Sequence, residues 1–195
     1  MIPHMKIPLL IFALLLGGCA YQSPPASFFV LSPRAEASPA TRSDLLLGVG
    51  PVHLADYLDR NQIVRRDTEV RLRMDEFNRW AGDHRKNITA VLAENLARTL
   101  GSDGVLAYPW ASSLDLDYQV VVDIRRFDAG ADNLVVLEAQ WQLLSAPGKL
   151  LRLRRSHIEI QAADSSHEAQ VEAQSQALAA LGELIAAAVR AAEET

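Results

Sequence analysis

At 195 residues, 49% hydrophobic and 22% charged, the chain has the size and composition of a single globular domain with a sizeable core. A net charge of −5 without a concentrated basic patch excludes a nucleic-acid-binding surface. The only cysteine, Cys19, excludes an intramolecular disulfide.

The first element in the chain is a targeting segment. His4 and Lys6 form a weakly basic leader, and residues 7–16 form an apolar run interrupted only by Pro8. That run is too short to cross a bilayer, which takes about 20 apolar residues. It fits the hydrophobic region of a secretory signal. Leu16-Gly17-Gly18-Cys19 closes it, and the two glycines leave an unhindered backbone for a signal peptidase to seat. This stretch resembles a bacterial lipobox. The resemblance implies residues 1–18 as a signal peptide, cleavage before Cys19, and acylation of its thiol and new amine. Each buried methylene contributes about 0.8 kcal/mol, so two or three acyl chains anchor firmly where one does not. Ala20 stands where an Asp favours inner-membrane retention in many Gram-negative bacteria, which points to the periplasmic face of the outer membrane. Loss of the leader removes Lys6 and makes the net charge −6.

Residues 19–43 comprise the lipidated cysteine, a tether and a first strand. Pro24, Pro25, Pro33 and Pro39 among Ser, Ala and Thr disfavour helix and keep the chain extended. Within the segment, Ser27-Phe28-Phe29-Val30-Leu31 is strongly β-prone, leaving flexible stretches at 20–26 and 33–43. Residues 44–193 form the main domain. The apolar run of 44–54 predicts a strand buried on both faces, with Pro51 at an edge or exit position. Residues 55–59 read as a turn. Residues 62–66 and 69–74 read as a hairpin turning at Asp67-Thr68.

Ile88, Val91, Leu92, Leu96 and Leu100 recur at helical spacing and predict a helix over 83–100, with Gly101 as its left-handed cap. Strands follow at 105–108, 118–127, 133–144 and 150–161. On the third of these, Val135, Leu137, Ala139, Trp141 and Leu143 share one face, and Glu138, Gln140 and Gln142 the other. Turns at 128–132 and 146–149 make the last three strands an antiparallel meander. A second helix spans 166–192, with Val171, Leu178, Leu181, Ile185 and Val189 inward. The sum is an α+β single domain, a mostly antiparallel sheet packed against two helices on one face.

Catalytic motifs are missing. His53, His84, His157 and His167 are scattered, without zinc-ligand spacing. There is no nucleophile elbow and no phosphate-cradling glycine loop. Asp56, Asp59, Asp115 and Asp117 sit at predicted turns, where Asp serves backbone hydrogen bonding. The sequence therefore reads as a non-enzyme without cofactor or metal. Nearly all basic residues are arginines, and Arg65, Arg66, Arg125, Arg126, Arg152 and Arg154 fall on predicted strands. Arginine binds carboxylate or phosphate bidentately, so these are candidate contacts for an acidic partner or lipid headgroups. The competing expectation is cross-strand pairing with Glu69, Glu138 and Glu159. Phe77, Trp80, Tyr108 and Trp110 form an aromatic set, suited either to docking or to packing around the first helix.

Several stretches together resemble one family. Gly48-Val49-Gly50-Pro51-Val52 leads to Tyr57-Leu58-Asp59-Arg60 and Gln62-Ile63-Val64-Arg65-Arg66. Phe77-Asn78-Arg79-Trp80-Ala81, Val91-Leu92-Ala93-Glu94-Asn95-Leu96, Gly101-Ser102-Asp103 and Tyr108-Pro109-Trp110 follow. Asp117-Tyr118, Asp123-Ile124, Arg126-Phe127-Asp128 and Ala173-Gln174-Ser175-Gln176-Ala177-Leu178 complete the set. Their order and spacing resemble the PqiC-like auxiliary lipoproteins of MCE-type ABC transport systems. Gly82-Asp83-His84 departs from the acidic-Pro-Leu that usually follows Trp-Ala in that family. Residues 71–74 are also more basic than its pattern.

The resemblance implies a non-enzymatic, lipid-anchored part in phospholipid traffic between the two membranes. It also implies an MCE-domain protein (PqiB-like) with its inner-membrane permease as partners, and a homo-oligomer matched to the ring symmetry of MCE assemblies. Two other classes stay open: a lipoprotein cofactor of an envelope polysaccharide or peptidoglycan synthase, and a periplasmic hydrolase. The first needs a longer tether than 20–43, and the second a tuned residue pair that the sequence does not offer.

Overall fold

Both stretches with helical spacing fold as helices in a computed structural model, which describes residues 24–39, 44–110, 114–146 and 148–194. The signal segment, Cys19 and the start of the tether lie outside the described residues. Strands and helices follow in the order β1 (Ser27–Phe29), β2 (Leu47–Leu54), β3 (Gln62–Thr68), β4 (Arg71–Trp80), α1 (His84–Leu100), β5 (Val105–Ala107), β6 (Tyr118–Ala129), β7 (Leu134–Ser145), β8 (Lys149–Gln161) and α2 (His167–Glu193). Asp83 caps α1 by accepting the N–H of Lys86, and Gly101 ends it at φ 63°. Ser166 caps α2 by accepting the N–H of Ala169. The α1 stripe is fully buried, as is the inward face of α2. By length and composition α2 could cross a membrane, but here its apolar stripe packs on the sheet and on α1. At Gly182 a Cβ would come within 3.3 Å of the Asn95 side chain, so glycine sets the close approach of the two helices there.

Strand β6 is the centre of the sheet. On one side it carries β7 and then β8, both antiparallel, as the meander expectation requires. On its other side the edge forks. β2 runs parallel to its first half, from Leu47 opposite Tyr118 to Leu54 opposite Ile124, and β5 adds parallel to β2. β3 meets β6 only where Arg65 lies opposite Ala129, and brings antiparallel β4 and parallel β1 with it. The sheet is thus mixed by connection while most of its paired residues are antiparallel. Two glutamines of α2 close the fork. Gln174 Nε2 donates to the Phe127 carbonyl at 3.0 Å and Gln170 Nε2 to that of Val64 at 3.1 Å. Buried carbonyls left unpaired by the fork would each cost about 1–3 kcal/mol.

Three local expectations change. β2 lies between β6 and β5 rather than at an edge, and Pro51 falls where its register shifts between Val49 and Val52. A residue without an N–H is tolerated inside a sheet at such a break. The β3–β4 hairpin turns at Glu69-Val70 and not at Asp67-Thr68, and β4 continues to Trp80. The side chain of Asp75 accepts the N–H groups of Phe77 and Asn78, folding residues 75–78 into a bulge opposite one residue of β3. The bulge breaks the two-residue alternation by which sequence reveals a strand.

The stretch expected to flex over 33–43 is, in its described part, bound to the helices. Asn87 Oδ1 accepts the N–H of Leu31, Ser175 Oγ that of Ser32, and Asn95 Oδ1 those of both Arg34 and Ala35. The N–H of Ser38 reaches the Arg98 carbonyl, and Arg34 forms a 2.6 Å ion pair with Glu172. Leu31 and Ala35 are buried beneath this strap.

Candidate functional site

The face of the sheet turned away from the helices carries three of the six arginines singled out in the sequence, Arg66, Arg125 and Arg126. A bulge in β6 between Ile124 and Arg126 puts Arg125 and Arg126 in succession rather than in alternation. Arg126 and Asp128 then point outward while Phe127 and Ala129 enter the core. Asp128 has no solvent exposure, and its carboxylate is held from three sides. Arg66 binds it bidentately, Nε at 3.0 Å and Nη2 at 2.9 Å. Arg126 Nε donates at 3.1 Å, and the Tyr57 hydroxyl at 2.8 Å.

The Asp128 carboxylate raises the pKa of Arg66, so that guanidinium stays charged. Burial, followed by the charge of Asp128, raises the pKa of Tyr57, whose hydroxyl therefore remains a donor. This cluster is a fixed lattice and offers no free base. Asp128 and Tyr57 are the members that sequence reasoning left out of the site. Their places in the Arg126-Phe127-Asp128 and Tyr57-Leu58-Asp59-Arg60 stretches were the available signal.

Beside this lattice, Gln140 Oε1 accepts from Arg125 Nη2 at 3.0 Å and from Arg155 Nε at 3.2 Å, which yokes two guanidiniums across three strands. Arg125, Glu138, Gln140, Arg155 and His157 line a shallow depression of about 250 Å³. The expected pairing of these arginines with Glu69, Glu138 and Glu159 is replaced. Arg66 takes only the backbone carbonyl of Glu69, while both other glutamates face His157, at 3.3 and 3.0 Å. The hydrogen bond to Glu159, with Glu138 adding its charge, raises the pKa of His157.

The remaining candidates are elsewhere. Arg65 faces the start of α2, donating to the Ser165 carbonyl at 2.9 Å and to Asn133 Oδ1 at 2.7 Å. Arg152 and Arg154 lie on the helix side of the edge strand β8, across from Leu143 and Trp141, without a side-chain partner among the described residues. With Arg155 they rim a groove whose floor is Trp141, Leu184 and Ala188. The structure thus separates six arginines into three places. Cys19 lies outside the described residues.

The four aromatics do not form one patch. Trp80 is buried and stacks on His84 with ring centroids 4.0 Å apart, and the Phe127 ring lies nearly parallel to that imidazole at 6.3 Å. Burial in this stack lowers the His84 pKa to about 3. Phe77 is exposed at the β4 bulge. Tyr108 and Trp110 meet edge to face at 5.3 Å over β2, where a Cβ on Gly48 would strike Trp110 and one on Gly50, at φ 126°, would strike Tyr108. The Gly-Val-Gly-Pro and Tyr-Pro-Trp stretches are therefore two halves of one packing unit. Among the described residues no group of three or more His, Cys, Asp or Glu is placed to hold a metal ion. Asp117 accepts the N–H of Leu46 and Asp59 pairs with Arg85, both in backbone or ion-pair duty.

These packing units lie inside the span matched by the model of the ABC-type transport auxiliary lipoprotein component family, residues 29–186. The chain belongs to that family. Two curated relatives, each named Intermembrane transport lipoprotein PqiC, come from Escherichia coli (strain K12) and Shigella flexneri. Each is 27% identical over 144 residues, covering 73% of this chain and 75% of the relative. Two crystal structures share the fold. One, of an uncharacterized protein, has a TM-score of 0.72 at 24% identity, covering 85% of this chain and 99% of the other. Protein XCC0632 from Xanthomonas campestris has a TM-score of 0.70 at 19% identity, covering 87% and 100%. In this auxiliary lipoprotein the family match begins at Phe29, so the strap of residues 31–38 belongs to the family domain.

Proposed function

We propose that this auxiliary lipoprotein is held by acyl chains on Cys19 at the periplasmic face of the outer membrane and docks an MCE-domain tunnel protein there. It would thereby complete a phospholipid path from the inner-membrane permease. The observation that carries this reading is the likeness, over about three quarters of both chains, to relatives named for intermembrane transport. The site supports binding over chemistry: the Asp128 carboxylate has its acceptor oxygens filled, and Tyr57 is held as a donor. A face that presents Arg66, Arg125 and Arg126 in fixed positions loses little side-chain entropy on meeting an acidic partner. Arg152 and Arg154, without a side-chain partner among the described residues, add guanidinium groups at the neighbouring edge.

Affinity purification from native envelopes through a C-terminal tag, read by mass spectrometry, tests the assignment. Recovery of an MCE-domain protein with its permease is expected. Recovery should fall in a charge-reversed Arg125→Glu, Arg126→Glu variant. Recovery of a polysaccharide or cell-wall synthase with no MCE protein would overturn it.

A further inference from the structure

Exposed apolar side chains gather at one edge of this domain. Phe28 is 65% exposed and Val30 56%, and Val70, Met74 and Phe77 are also open to solvent. All five belong to β1, to β4 or to residues joined directly to them. β1 spans only three residues and pairs with Asn78, Arg79 and Trp80, so most of β4 has no outer neighbour among the described residues. Alternation sends Phe29 and Leu31 toward the core and leaves Phe28 and Val30 outside. Arg71, Arg73 and Arg79 stand among them, and Arg71 and Arg73 share the single carboxylate of Asp67. Glu69 and Glu76 are present as well, so the edge is amphipathic and not polybasic. An aromatic and aliphatic row with arginines interleaved is the composition that settles at a lipid headgroup layer.

The chain also enters the domain at this edge. Cys19 precedes Phe28 by nine residues, which is at most about 30 Å of extended chain. We infer that the β1–β4 edge is the face this protein lays on the phospholipid surface that holds its anchor, with Phe28, Val30 and Phe77 seated among the headgroups. The inference rests on the proposed acylation of Cys19. A patch this small binds a bilayer weakly in solution, but a short tether raises its effective concentration enough for weak contact to persist. β8 lies five strand spacings away, about 24 Å. The arginine groove beside it then opens away from the membrane.

Spin labels distinguish the two edges. The acylated full-length protein is reconstituted into vesicles of phosphatidylethanolamine and phosphatidylglycerol. Labels are placed at Phe28→Cys, at Phe77→Cys, and at Leu153→Cys on exposed β8. Because Cys19 is the only native cysteine and its thiol is acylated, each introduced thiol is the sole reactive one. At positions 28 and 77, collisions with a water-soluble nickel chelate should fall several-fold on reconstitution while those with oxygen rise. Position 153 should not change. Labels at 28 and 77 as open to nickel as at 153, on protein that floats with the vesicles, would overturn the inference alone. Spin–spin broadening at 28 with undiminished nickel access would assign the edge to a second copy and overturn it too. Protein that fails to float would overturn the anchor itself and this orientation with it.

Discussion

Asp128 and His84 are both buried, and the fold treats their charges in opposite ways. The Asp128 carboxylate is surrounded by two guanidiniums and a hydroxyl. Removing one charge from such a cluster leaves the others uncompensated. Asp128→Asn should therefore lower the stability read from urea unfolding by about 3 kcal/mol. His84 is kept neutral by burial beside Trp80 and Phe127, its pKa pushed down to about 3. Once unfolded, the imidazole returns to its ordinary value near 6.5. Between those values the unfolded chain binds a proton that the folded chain excludes. The contribution is thus complete above about pH 6.5 and is lost by up to about 1.4 kcal/mol per pH unit as pH falls toward 3. His84→Phe keeps the stack without the titration, so its unfolding free energy should depend less on pH between about 6.5 and 4 than that of the wild type. Equal slopes would show that the imidazole is not buried neutral. Neither role was legible in the sequence: a histidine on a helix looks alike whether open or enclosed, and Asp128 reads as the start of the 128–132 turn, whereas β6 runs on to Ala129.

Among the elements, α1, α2 and the β6–β8 meander were legible because their patterns are local and long enough to survive single-residue breaks such as the β6 bulge. The β4 bulge and the strap were not. Pro33 and Pro39 make residues 33–43 look like a linker, yet the N–H groups at Leu31, Ser32, Arg34, Ala35 and Ser38 find acceptors on α1 and α2. Composition cannot reveal acceptors that lie more than fifty residues away in sequence. Asn95 is the strap's principal anchor, since one oxygen serves two backbone donors. Asn95→Ala should cost about 2 kcal/mol and speed amide hydrogen exchange at Arg34 and Ala35, with little change along the rest of α1. Unchanged protection at those two amides would mean that the Arg34–Glu172 pair and Leu31 hold the strap alone.

For the whole molecule, β1 and the strap together fix residues 27–38 on the domain. Acyl chains on Cys19, as proposed, would therefore keep the domain within nine residues of its membrane surface. Cys19→Ala should move the protein from the membrane fraction to the soluble one while leaving its melting temperature unchanged, because the core begins at Leu31. Variant protein that still sediments with membranes would show that attachment does not depend on the acyl chains. A melting temperature lowered in the same variant would show that the leader packs on the domain.

By itself the sequence determined the fold class, the order of elements and the family. Each of these is written in local patterns: periods of two and 3.6, and short stretches in a set order. Tertiary structure alone decided that β6 forks its edge between β2 and β3, that Gln170 and Gln174 close the gap, and that residues 31–38 clamp the helices. It also decided which arginines are occupied. Arg66 meets Asp128 across 62 residues of chain, whereas Arg152 and Arg154 meet no side-chain partner among the described residues. Pairings over such distances depend on how strands are ordered in the sheet, and strand order leaves no periodic trace in the sequence.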